Sequence, residues 1–164
     1  MGEENKEFTI IEKPDLMPIL LREFPGFQGR WEGHVKWWNS RPAGALNGLM
    51  EFVHFVVEDL YEKQESEALE RVFDLMESFL ATGNEYTRGL IGYGFFETLQ
   101  CVASHKPYGN QVFVPLLRPM SVRVWNDLNV MWAGKSSLAD VIRAENSQDA
   151  AHSTPEDRGS DTQD

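Results

Sequence analysis

Residues 41–101 read RPAGALNGLMEFVHFVVEDLYEKQESEALERVFDLMESFLATGNEYTRGLIGYGFFETLQC and decide the fold. Three apolar patterns at three- and four-residue spacings follow one another here with almost no loop between them. Such spacing places apolar side chains on one face of a helix, so the stretch predicts three consecutive helices. Their apolar sets are Leu46, Leu49, Val53, Val56, Val57 and Leu60; then Leu69, Val72, Phe73, Met76, Phe79 and Leu80; then Tyr86, Leu90, Ile91, Phe95, Leu99 and Val102.

Turn-forming residues separate the three helices. Pro42 suits the first turn of the first helix, and Ser66 is expected to cap the second. Gly83 followed by Asn84 is typical of a helix end with a C′ glycine and a new N-cap directly after it. A connection this short favours antiparallel neighbours, so we expect helical hairpins.

The flanking segments extend the helical pattern. Pro14 opens a short helix that Pro25 ends, and a further helix is predicted from Ser121 to Gly134. Val124, Trp125, Leu128, Met131 and Trp132 would lie on the inner side of that helix.

The predicted organisation is an all-α fold with one compact helical domain. Residues 1–13 form an N-terminal arm, and residues 14–144 form the domain of about six or seven helices, the last of them a short helix near 137–143. Residues 145–164 contain no large apolar side chain and should be a disordered acidic tail.

Acidic residues are concentrated in one part of a chain whose net charge is −11. Residues 51–77 contain nine acids and two bases, whereas residues 78–144 contain four acids and six bases. This distribution disfavours nucleic acid as a direct partner and favours a basic protein surface. The alternative is that the carboxylates are solvated helix faces that keep the protein in solution.

Aromatic residues are concentrated in the segment FQGRWEGHVKWWNS, residues 27–40. A helix there puts Phe27, Trp31, His34 and Trp38 on one face. Two interpretations follow, a patch that binds a partner or a set of rings that covers one end of the core. Trp37 is expected to be exposed under either interpretation.

Catalytic and metal-binding motifs are scarce. Glu51 and His54 match the Glu-x-x-His spacing of di-iron helices, but that chemistry requires a second copy and two further glutamates. Cys101 is the only cysteine and cannot form an internal disulfide. No phosphate-binding or nucleophile motif is present. We therefore expect no enzyme, no metal and no cofactor.

Targeting signals are also lacking. The N-terminal segment MGEENKEFTIIEK has no basic-then-apolar signal, and no apolar run approaches the ~20 residues of a membrane span. We expect a soluble cytoplasmic protein that does not bind a membrane.

The block RVFDLMESFLATGNEYTRGLIGYGFFETLQ, with its Gly83-Asn84 turn and its Phe95-Phe96-Glu97-x-Leu99 close, resembles the core of small all-helical bacterial proteins. These are immunity proteins of polymorphic toxin systems. The resemblance extends over about residues 15–102, including Phe24-Pro25, and contains no catalytic motif. It implies a protein that binds and neutralises a cognate toxin acting in the cytoplasm.

An acidic surface is consistent with that role, because opposite charges accelerate association with a basic toxin. The residues expected to bind the toxin are six carboxylates and two aromatic anchors: Glu58, Glu62, Glu65, Glu70, Asp74, Glu77, Trp37 and Tyr108. One alternative function is a helical adaptor that joins other proteins. Another is a small-molecule-binding bundle, which would need a buried cavity containing His54 or Glu97.

Overall fold

The computed structural model describes residues 16–38 and 44–134, and every regular element in these residues is helical. The all-α prediction is therefore confirmed. The N-terminal arm, Pro42, the last short helix and the acidic tail lie outside the described residues. The helices are α1 (Leu16–Glu23), α2 (Gln28–Trp37), α3 (Gly44–His54), α4 (Ser66–Thr82), α5 (Glu85–Leu90), α6 (Thr98–Ser104) and α7 (119–134), with short 3-10 helices at Pro25–Phe27 and Asn110–Leu116.

Two of the predicted helices contain a π-helical segment. α3 continues without a break into a π-helix at Phe55–Tyr61, and α5 continues through a second one at Ile91–Glu97 into α6. Helical structure thus runs over residues 44–61, 66–82 and 85–104, which confirms the three consecutive helices. The π segments were not predicted, because a search at 3.6 residues per turn assumes regular α-helix throughout.

Aromatic rings form the centre of the core. The ring of Phe95 lies 5.0 Å from that of Phe96, 6.1 Å from Phe73 and 6.3 Å from Phe52, and all four side chains are fully buried. These contacts join the second π segment to α3 and α4. The third predicted helix is therefore central to the bundle.

Gly94 allows a close approach between two helices. A Cβ atom at this position would lie 3.0 Å from Leu49 Cδ1 in α3. The glycine therefore serves helix packing, since a larger side chain would push α3 away.

Three apolar side chains expected to face the core are exposed. Leu46 has an exposed fraction of 48%, Tyr86 of 57% and Trp132 of 37%. Leu46 and Tyr86 lie in the first turns of α3 and α5, and Trp132 lies in the last turn of α7. Helix ends lie beyond the packed middle of a bundle, so the apolar pattern overestimates burial there.

The predicted helix caps are right at one position and wrong at another. The Asn84 side chain accepts a hydrogen bond of 2.8 Å from the backbone N–H of Thr87, as expected of an N-cap. Ser66 is instead the first residue of α4, and the N-cap is Glu65, whose side chain makes no capping hydrogen bond.

Gly83 is required for space and not for a left-handed conformation. Its backbone is extended, with φ of −71° and ψ of 154°. A Cβ atom there would lie 2.5 Å from the carbonyl oxygen of Phe79 and 2.8 Å from Thr87 Cγ2. The turn between α4 and α5 can therefore be tight only with glycine at this position.

This geometry gives a matched pair of expected results. Gly83→Ala should lower the free energy of unfolding by about 1–2 kcal/mol, because the new methyl group overlaps a backbone oxygen. Gly89→Ala in α5 should raise it by about 0.5–1 kcal/mol, since alanine favours helix and the space around Gly89 is open. Urea denaturation measures both. Equal effects of the two substitutions would contradict the packing assigned to Gly83.

The described backbone divides into two units, with the boundary between Asn126 and Asp127. The first contains α1 to α6 and the start of α7. In the described part of the second, Leu128 is buried and Val130 is exposed. Within residues 16–38 and 44–134, no helix combines the length and the apolar character needed to cross a bilayer.

Candidate functional site

Arg30 in α2 holds a group of carboxylates on α3 and its π segment. Its Nε lies 2.6 Å from Asp59 Oδ2, its Nη2 lies 2.8 Å from Glu58 Oε2, and its Nη1 lies 3.8 Å from Glu51 Oε1. The hydrogen bonds from the guanidinium lower the pKa of the Glu58 and Asp59 carboxyls, although partial burial opposes this. Both carboxylates are therefore ionised and fixed in position.

Glu62 is held from a different part of the chain. Lys106 Nζ lies 3.0 Å from Glu62 Oε1, and the Tyr108 hydroxyl donates a 3.0 Å hydrogen bond to the same oxygen. These two donors lower the pKa of Glu62. Burial and the Glu62 carboxylate raise the pKa of Tyr108 well above its usual value, so the phenol remains a donor.

The carboxylates of α4 bind the segment that leads into α7. Arg118 lies 2.5 Å from Glu70 and 2.7 Å from Asp74. The two carboxylate oxygens of Glu77 accept hydrogen bonds from the backbone N–H groups of Met120 and Ser121, at 2.7 and 3.0 Å. An anion at a helix N-terminus is stabilising, so these three side chains attach the start of α7 to α4.

The six predicted carboxylates therefore have different surroundings. Glu58 and Glu62 belong to the group held by Arg30, Lys106 and Tyr108, whereas Glu70, Asp74 and Glu77 hold residues 118–121. Glu65, like its neighbour Glu67, makes no ion pair or side-chain hydrogen bond within the described residues. The predicted face is thus partly occupied by contacts within the chain.

Three basic residues from outside residues 51–77 were not predicted to reach this surface. They are Arg30, Lys106 and Arg118. For Lys106 and Arg118 the only signal in the sequence was the excess of bases in residues 78–144, and no such signal pointed to Arg30. Adding these three to Lys63 and Arg71 leaves the nine carboxylates with five cations, a net charge of −4.

A cleft of about 470 Å³ lies beside the turn that joins the first π segment to α4. The rings of Tyr61 and Tyr108 lie 4.8 Å apart in it, at an interplanar angle of 53°. Gln64 in the turn has a left-handed backbone with φ of 60°. The cleft combines aromatic, acidic and apolar groups: Leu60, Tyr61, Glu62, Gln64, Glu65, Ser66, Leu69 and Tyr108.

A second cleft, of about 420 Å³, shares Leu60 and Glu65 with the first. It differs in charge, because Lys63 and Arg71 are among its lining residues together with acidic side chains. The two clefts therefore present different electrostatic surroundings to a ligand.

The aromatic segment has a buried start and an exposed end. Phe27 is fully buried and Trp31 is half-buried, with its ring stacked 5.6 Å from that of His34. Trp37 has an exposed fraction of 81%, as predicted, and Trp38 has one of 40%. The start of the segment thus packs on the core and its end projects from α2.

The Glu-x-x-His pair does not form a metal site in the described residues. Glu51 lies near Arg30 and His34, while His54 Nδ1 lies 3.5 Å from Glu58. Within that part of the chain, no group of three or more His, Cys, Asp or Glu side chains could hold a metal ion. Neither His54 nor Glu97 lines either of the two clefts.

Residues 17–133 match the model of the DUF7674 family, a domain of unknown function. The chain belongs to this family. The DUF7674 match includes both groups of carboxylates, both clefts and the basic residues that pair with these carboxylates. No curated protein and no solved structure matches the chain.

Proposed function

We propose that this protein is an immunity-type binding protein that neutralises a cognate bacterial toxin acting in the cytoplasm. The toxin would bind to the acidic surface of α3 and α4. The observation that supports this proposal is the net charge of −4 that remains on this surface after its own cations are counted. Glu65 and Glu67, without partners in the described residues, would meet the toxin's cations directly.

The rigidity of this surface favours tight binding. Arg30 fixes Glu58, and Lys106 with Tyr108 fixes Glu62, so little side-chain entropy is lost when a partner binds. The uncompensated charge would also steer a basic partner and raise the association rate. Both properties suit an inhibitor that must capture its toxin inside the cell that produces it.

A nuclease or another enzyme that acts on nucleotides fits this surface, because proteins that bind nucleic acid carry basic grooves. Binding there would occlude the substrate groove of the toxin. Tyr108 lines a cleft among the carboxylates and Trp37 projects from the end of α2, so the two predicted anchors would provide separate contacts. Aromatic anchors of this kind often dominate the energy of an interface.

Affinity capture from the lysate of a toxin-bearing bacterium, with the full chain as bait, tests the proposal. The wild-type protein should retain one basic toxin domain and abolish its activity. Glu65→Lys combined with Glu67→Lys should lower the association rate at least tenfold at low salt, since both unpaired carboxylates are reversed. The wild-type association rate should fall as salt is added.

A control variant has the same change in total charge at exposed acids elsewhere, Glu85→Lys with Asp127→Lys. It should bind the toxin at close to the wild-type rate. An equal fall in the association rate of both variants would show that the rate depends on the total charge and not on the positions of Glu65 and Glu67. Retention of no toxin by the wild-type protein would contradict neutralisation.

The exposure of Trp37 favours the alternative function, a helical adaptor that joins other proteins. In that case capture would recover several proteins, and their binding would depend on the aromatic end of α2. Trp37→Ser would then abolish capture while the reversal of Glu65 and Glu67 would not.

A further inference from the structure

We infer that the cleft between Tyr61, Tyr108 and Glu65 is a subsite for an arginine side chain of the bound protein. The identity of that protein rests on the proposed function. The preference of the cleft for a guanidinium group follows from its own residues and can be tested without the toxin.

Two partly exposed tyrosine rings provide a surface for a planar cation. Their centroids lie 4.8 Å apart, and their planes meet at 53°. The Tyr108 hydroxyl is bound to Glu62, which fixes that ring, whereas the Tyr61 hydroxyl has no partner within the described residues. A guanidinium group stacks on such rings and is attracted by their π electrons.

Two carboxylates in the cleft have acceptor oxygens available. Both contacts to Glu62 are made at Oε1, so Oε2 accepts no hydrogen bond within the described residues. Glu65, the residue before α4, makes no ion pair or side-chain hydrogen bond there either. The flat fork of five N–H donors in arginine can bind carboxylate oxygens while its plane rests on an aromatic ring.

The other lining residues of the cleft favour arginine over lysine. Leu60 and Leu69 add apolar surface against which the methylene groups of an arginine stem can pack. Among the described residues, none of those that line this cleft is basic, in contrast to the neighbouring cleft, where Lys63 and Arg71 would repel a cation. Lysine fits less well, because its ammonium group is strongly hydrated and cannot stack as a plane.

Titration of the isotope-labelled full chain with N-acetyl-arginine-N-methylamide tests the inference by NMR. Chemical-shift changes should be concentrated at residues 60–66 and Tyr108, with a dissociation constant on the order of millimolar. The lysine analogue should bind several-fold more weakly. The norleucine analogue, which lacks a charge, should cause no saturable change at these residues.

Substitutions separate binding from folding. Glu65→Gln should weaken binding of the arginine probe about threefold to tenfold without altering stability, since its side chain caps nothing. Glu67→Gln is the matched control, two residues away and outside the cleft, and should leave binding unchanged. Tyr61→Leu should also weaken binding, and a melting curve would separate this effect from loss of its contact with Phe113.

The inference fails if the arginine and norleucine probes give the same shifts, or if Glu65→Gln and Glu67→Gln have equal effects. If the chain binds the arginine probe but captures no toxin, the arginine subsite stands and the proposed function is wrong. If the chain captures a toxin but its cleft does not bind the arginine probe, the proposed function stands and the arginine subsite is wrong.

Discussion

Phe95→Ala should lower the free energy of unfolding by about 3–5 kcal/mol, the largest loss expected from any single substitution considered for this chain. Phe95 is fully buried, and its ring contacts Phe52, Phe73 and Phe96 on three different helical segments. Removing the ring loses both the free energy of its transfer from water and its packing contacts, and the three segments cannot all close on the cavity. Chemical denaturation with urea measures the loss.

Tyr93→Ala is the matched control, because Tyr93 lies two residues away in the same π segment and has an exposed fraction of 60%. It should change the free energy of unfolding by no more than about 0.5 kcal/mol. A loss below 1 kcal/mol for Phe95→Ala would show that the second π segment does not lie at the centre of the core.

Arg30→Met should lower the free energy of unfolding at pH 7 by about 1–3 kcal/mol. The substitution retains the apolar part of the side chain but removes the guanidinium that Glu58 and Asp59 share, and Lys63 and Lys106 compensate only part of their charge. The expected loss is smaller than that for a fully buried pair, because these side chains are 25–35% exposed. Thermal and urea denaturation at pH 7 measure it.

The same substitution should change the dependence of stability on pH. The pKa values of Glu58 and Asp59 are lowered in the folded protein, from ordinary values of 4.5 and 3.8. The unfolded chain therefore binds more protons as the pH falls, and the stability from these groups is lost progressively below about pH 4.5. Above about pH 5 it is fully present.

Stability falls below about pH 4.5, and this part of the pH profile is its acid limb. Arg30→Met should flatten the acid limb, since the two carboxyls lose the cation that lowers their pKa. Arg22→Met is the control, because Arg22 is exposed and, among the described residues, pairs only with the adjacent Glu23. It should leave both the stability at pH 7 and the acid limb nearly unchanged. An unaltered acid limb in Arg30→Met would place the acid sensitivity in other carboxyls.

Local patterns predicted most of the fold. The apolar spacing in residues 41–101 predicted three helices, and the Asn84 cap follows directly from the chemistry of its side chain. Such features depend on residues within a few positions of one another, where helical geometry fixes which side chains are neighbours. They can therefore be derived from one sequence.

The candidate site was predicted only in part, because its contacts join residues that are far apart in the sequence. Arg30 lies 28 residues before Glu58, and Arg118 lies 48 residues after Glu70, so no spacing rule connects them. The acidic pattern on α3 and α4 was visible, but the cations that partly cover it come from other elements. Tyr108 was predicted as an anchor, while its position beside Tyr61 and Glu62 depends on tertiary packing.

The π segment at Phe55–Tyr61 lies between the part of α3 near Arg30 and the turn that carries Glu62 and Glu65. A π turn contains one residue more than an α turn, and each helical residue rotates the chain by about 100°. The π turn takes up its extra residue locally, whereas the same extra residue in regular α-helix would rotate both carboxylates by about that angle relative to α2. The π segment therefore sets the angle at which Glu62 and Glu65 stand relative to the part of α3 near Arg30.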